Sequence, residues 1–236
     1  MPAHLQKDLE KLKKIILEMG TIIEESISLA ITALSTNDRT IAEQVIAEDA
    51  DVDQREVHIE EECLKILALH QPVARDLRFV VAVLKMNNDL ERIGDFAVNT
   101  AERVIFLSER GPVPVPKGLN AMAQKAAQMV RQCLDALIES DVKLAKSVIL
   151  SDDDVDEQRD RLFTIVLNEI RRDPEHLDQW IQILSCIRYL ERIADLSTNI
   201  AQDVVYLVEG EVVRHRELSV EADPRRHSGG GPKPHP

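Results

Sequence analysis

The 236-residue chain carries one stretch twice. Leu90-Glu91-Arg92-Ile93-Gly94-Asp95 recurs as Leu190-Glu191-Arg192-Ile193-Ala194-Asp195, 100 residues later and without a gap. The match runs outward through Leu77/Leu177, Leu84/Leu184, Asn99/Asn199, Ala101/Ala201, Val104/Val204 and Leu107/Leu207. Upstream the offset becomes 103, where Asp49, Asp51, Val52 and Asp53 match Asp152, Asp154, Val155 and Asp156, and Ala33-Leu34 matches Ala136-Leu137. The second copy is therefore three residues shorter between the two blocks. A repeat of about a hundred residues is the size of a small structural unit, so the chain must fold as two related halves.

Each half reads as three helices. Leu5, Leu9, Leu12, Ile16, Met19, Ile23, Ile27, Ala30 and Leu34 step by three or four residues, which predicts one unbroken helix over 5–35. Thr36-Asn37-Asp38 supplies a turn with N-cap candidates. A second helix is expected over 40–69, with Asp49 and Glu56 falling on its apolar stripe, and Pro72 stopping it. A third, over 73–108, is apolar on two sides and so must sit between neighbours. Residues 111–118, rich in Gly and Pro, form the clearest linker. The scheme repeats over 119–140, 142–172 and 174–214. The expected fold is all-α: two tandem, pseudo-symmetric three-helix bundles, one over residues 1–112 and one over 113–215, with a polar Gly- and Pro-rich tail over 216–236 read as disordered. Helices of about 30 residues span about 45 Å, so the molecule should be elongated.

Composition narrows the function. Aromatics make up only 3% of the residues, so the core must be aliphatic, and a net charge of −13 disfavours nucleic acid and anionic membranes. No apolar run approaches the length of a membrane span, and the N-terminus lacks the apolar segment of a signal peptide. Cys63, Cys133 and Cys186 are isolated within apolar helical patterns, as buried thiols of a reducing, cytoplasmic protein would be. Gly-rich phosphate loops and recognisable nucleophile arrangements are absent, so nothing supports catalysis.

The chemistry that recurs is acidic. Asp49/Asp53 and Glu91/Asp95 in the first half, and Asp152/Asp156 and Glu191/Asp195 in the second, are acid-x-x-x-acid pairs on single helix faces. Such pairs are common: roughly seven are expected by chance with 42 acids in 236 residues. Their level is not common. About an antiparallel hairpin turning at Pro72, the first two pairs come to the same height, and the second two do so about Asp173-Pro174. Two readings follow. Four carboxylates per hairpin could ligate a hard cation through oxygen alone. Alternatively Arg55, Arg92, Arg159 and Arg192 could turn them into salt-bridged faces. The Glu-x-x-His signature of di-iron bundles is missing.

Gln71-Pro72-Val73-Ala74-Arg75-Asp76-Leu77-Arg78, followed by Asn88-Asp89-Leu90-Glu91-Arg92-Ile93-Gly94-Asp95, resembles the PhoU family. The resemblance covers residues 5–214, both copies. It implies two three-helix bundles whose acidic motifs bind metal ions (iron, Mg, Mn or Zn), here on Asp49, Asp53, Glu91, Asp95, Asp152, Asp156, Glu191 and Asp195. It also implies a cytoplasmic homodimer, not an enzyme, that links a phosphate ABC transporter, through its ATPase subunit, to a sensor histidine kinase. Such a protein holds the phosphate-starvation response and phosphate uptake down when phosphate is plentiful. A metal-dependent helical enzyme or a metal buffer is the competing reading. The second copy departs at one place, where Arg75-Asp76-Leu77-Arg78 becomes Glu175-His176-Leu177-Asp178 and the local charge reverses.

Overall fold

Apolar residues at helical spacing are met by six long helices. The computed structural model describes residues 2–111 and 113–210. They form α1 (Pro2–Thr36), α2 (Arg39–His70), α3 (Ala74–Arg110), α4 (Leu119–Glu139), α5 (Val142–Arg172) and, after a single 3-10 turn at Pro174–His176, α6 (Leu177–Glu209). There is no strand among the described residues. The expected tail over 216–236 and the expected last residues of the sixth helix lie outside them.

Local chemistry sets the boundaries. Asp38 and Asp141, 103 residues apart, cap α2 and α5: each accepts from two backbone amides of the first turn, at 2.8 and 3.3 Å for Asp38 and 2.8 and 3.1 Å for Asp141. These caps satisfy amides that a helix start leaves open. α2 stops at Gln71, whose left-handed backbone sends its N–H back to the Leu67 carbonyl. α6 stops at Gly210, where φ is +73° and the N–H returns to Tyr206. A glycine in this left-handed conformation is a common C-terminal signal.

The seam of α1 is buried as its spacing requires: Leu9, Leu12, Ile16, Met19, Ile23, Ile27, Ala30 and Leu34 are all in the core. The buried apolar residues of both halves form one connected cluster. The linker joins it, with Val113 buried and Val115 packed against it. The three cysteines are buried and free, and burial pushes the Cys63 and Cys186 thiols up to about 12.

The halves meet through α3 against α6 and α1 against α4. α3 and α6 run antiparallel: Arg78 donates to the Leu207 carbonyl at 3.2 Å, Phe96 stacks on Tyr189, Arg103 reaches Gln182 and Arg110 pairs with Asp178 at 3.2 Å. Partners whose numbers rise on one helix as they fall on the other place Arg92 and Arg192 near the pseudo-twofold centre. The two hairpin turns, at Pro72 and Pro174, then lie at opposite ends of the molecule. The local charge reversal seen in sequence lies on this seam. Arg75 donates to Ser140 and Arg78 to the end of α6, whereas Asp178, the counterpart of Arg78, takes Arg110 at the end of α3.

Candidate metal centre

Asp49, Asp53, Glu91 and Asp95 are brought together by the α2–α3 hairpin. Asp49 and Glu91 are half-buried at the edge of the core, and Asp53 and Asp95 are exposed. Burial pushes the Asp49 carboxyl up, and repulsion from Asp53 on its own helix and Asp95 on α3 adds to it. Burial likewise raises Glu91, with repulsion from Asp95, Asp53, Glu56 and Asp49. Asp95 is raised by burial and by Asp53, partly offset by the Arg92 charge. Mutual repulsion across two helices means that the pairs do share one level, as the hairpin arithmetic requires.

Glu56 belongs to this cluster too. Its carboxyl is raised by burial and by repulsion from Glu60 and Asp53. Asn87 holds it from α3: the fully buried amide donates to the Glu56 carbonyl at 2.9 Å and to its carboxylate at 3.3 Å. Neither residue stood out as part of the acidic motif. The available signal was the run Asp49-x-x-x-Asp53-x-x-Glu56 on one helix face. No arginine comes within ion-pair distance of the four motif carboxylates among the described residues. Arg55 reaches away to Glu18 of α1 at 3.4 Å, and Arg92 to Asp89 at 3.9 Å.

The second hairpin gathers Asp152, Asp156, Glu191 and Asp195 in the same way, but with arginines among them. Arg159 lies 3.2 Å from Asp156, 3.1 Å from Asp160 and 3.1 Å from Glu191. Arg192 lies 3.2 Å from Asp195 and 3.8 Å from Glu191. Asp152 alone is left among acids: burial, then repulsion from Asp195, Asp156, Asp153 and Glu191, pushes it up to about 6. Between the clusters, Arg92, Arg192, Asp195 and Asn199 line a cavity of about 280 Å³. Asn99 gives its backbone carbonyl to Arg103.

The first cluster has the donor chemistry of a hard-cation site, all oxygen and net negative. Among the described residues no group of three or more His, Cys, Asp or Glu side chains is gathered tightly enough to hold a metal ion as it stands. A cation would have to draw these side chains together, and the relief of their repulsion would favour that movement.

Comparison with known proteins agrees with the fold and with its two tandem copies. The family model described as the PhoU domain matches residues 16–104 and again 119–204. The chain is 36% identical over 214 residues to the phosphate-specific transport system accessory protein PhoU homolog of Aquifex aeolicus, covering 91% of this chain and 97% of that one. It is 37% identical over 215 residues to the homolog of the same description from Pseudomonas aeruginosa, covering 90% and 88%. The crystal structure of PhoU from Pseudomonas aeruginosa superposes with a TM-score of 0.82 at 36% identity, over 87% of this chain and 99% of that one. The phosphate transport system regulatory protein PhoU from Streptococcus pneumoniae does so with a TM-score of 0.82 at 31% identity, over 89% and 99%. With two tandem copies of the domain, the six-helix fold and this identity over most of its length, the chain belongs to the PhoU family.

Proposed function

We propose that this protein is a regulator of phosphate uptake that works by contact, as the names of its relatives suggest. The observation that carries the reading is where its exposed apolar residues fall. All the exposed large hydrophobics among the described residues lie on the two hairpins or their turns, and none on α1 or α4. Three recur at equivalent positions in both copies: Leu64/Leu167, Leu77/Leu177 and Val81/Ile181, each between 36% and 53% exposed. A residue that merely tolerates exposure has no reason to stay apolar twice at the same place, whereas a contact surface does. The hairpin ends are therefore the proposed docking faces for a sensor histidine kinase and for the ATPase subunit of a phosphate transporter. No helix among the described residues is long and apolar enough to cross a membrane.

On this reading the protein is a non-catalytic, dimeric negative regulator of the phosphate-starvation response. The acidic motifs are its metal-ion sites, with Asp49, Asp53, Glu91 and Asp95 the better supplied with free carboxylate. Such sites supply charge neutralisation between α2 and α3 when filled, and Glu56 and Asn87 orient the cluster from the side. Deleting the gene and assaying a phosphate-starvation reporter in phosphate-rich medium tests the regulatory role. Derepression restored to silence by the wild-type gene is expected. A reporter that stays silent, once a redundant paralogue is excluded, would instead favour the metal-buffer reading.

A further inference from the structure

We infer that the two acidic clusters are not equivalent: the first half holds the cation site, and in the second half Arg159 stands in the place of a cation. The inference rests on reading the acidic motifs as metal sites, and it names which of them loads. The position that carries Glu56 in the first copy carries Arg159 in the second, at the same 103-residue offset as the flanking acids. One substitution thus adds a carboxylate to one cluster and a fixed positive charge to the other. Arg159 binds acids from both helices, Asp156 on α5 at 3.2 Å and Glu191 on α6 at 3.1 Å. It bridges the same two helices that a ligated ion would bridge. Arg192 takes Asp195, the other acid of the α6 pair, at 3.2 Å.

A cation entering the second cluster must break these contacts and then share the space with a guanidinium that cannot lose its charge. Among the described residues no arginine is ion-paired to the four motif acids of the first cluster: Arg55 is held by Glu18 of α1 at 3.4 Å, and Arg92, though near enough to act on Asp95, lies 3.9 Å from Asp89. The supporting residue differs along with the cluster. Asn87, which holds Glu56 in place, is matched by Ile187, which is fully buried and has no side-chain amide to offer. The pair Glu56/Asn87 has become Arg159/Ile187, so the two halves differ by a linked exchange and not by one stray surface residue.

Titration of the full, metal-stripped chain with Mn²⁺ and, anaerobically, with Fe²⁺ decides the matter, read by electron paramagnetic resonance and by elemental analysis after gel filtration. The wild type should show one tight class of site. Glu56→Arg should weaken that class at least tenfold, with Glu56→Gln as a milder variant if the first disturbs folding. Arg159→Glu should create a second class within about tenfold of the first. Two equal tight sites in the wild type, or no second class in Arg159→Glu, would overturn the inference while leaving the metal reading intact. Failure of either ion to bind the wild type would remove both.

Discussion

Gly20 sits in the middle of a 35-residue helix, where glycine costs about 1 kcal/mol against alanine. Its neighbour explains it: a Cβ there would run into the Leu134 side chain of α4. The glycine lets α1 and α4 approach closely at this point. Gly20→Ala should therefore destabilise by about 1 kcal/mol net, the overpacking outweighing the gain in helix propensity. In a Leu134→Ala background the same change should become stabilising, and chemical denaturation of the four variants measures the coupling. A second residue-scale case is Glu62, a nearly buried acid held by Lys11 at 2.9 Å and Lys65 at 3.3 Å. Its hydrogen bond from Lys11 outweighs burial and holds its carboxyl below the usual range. A depressed acid contributes stability that is present above its unfolded value near 4.5 and lost as pH falls through its folded value. Glu62→Gln should cost about 1 kcal/mol at pH 7, and the cost should shrink below about pH 4, as unfolding followed over that range would show.

Helices begin and end here for reasons written next to them. Asp38 and Asp141 occupy equivalent places in the two copies and make equivalent caps. Asp38→Ala and Asp141→Ala should each lower stability by about 1 kcal/mol, and because the caps belong to different halves the double variant should lose the sum. Arg78 has a different task, donating across the seam to a terminal carbonyl of α6. Arg78→Ala should leave the first bundle intact but speed amide exchange in the last turn of α6, which mass spectrometry can localise. The local charge reversal between the copies thus belongs to the seam. Arg75 and Arg78 hold the second half, and Asp178 answers from the other side.

At the scale of the molecule, an antiparallel α3–α6 seam places the acidic clusters toward the middle and the apolar hairpin turns at the two ends. The proposed cation site and the proposed docking face are then separate but lie on the same long helices, α2 and α3 in the first half. Replacing Leu64 and Leu77 together by Asp should leave the helical content unchanged and raise the starvation reporter in phosphate-rich medium toward the deletion level. A reporter that stays silent with normal protein abundance would remove the first hairpin from the docking surface. Because the clusters are remote from those side chains, this variant should bind Mn²⁺ as the wild type does.

Much of this was legible in the residues alone. Periodicity determined six helices, because a buried stripe must recur every three to four residues, and the repeat at offsets of 103 and 100 determined two related halves. The level of the acidic pairs followed from counting residues to each turn, since antiparallel neighbours rise at the same rate. What spacing could not decide was which way each long side chain points. Arg55 and Arg159 both lie near acidic pairs in the sequence, yet the first leaves for Glu18 on another helix and the second closes over its own cluster. That choice depends on what α1 and α6 present nearby, and so do the roles of Gly20, Asn87 and Arg78. All of these are contacts between residues far apart in the chain, so only the packing of the helices could settle them.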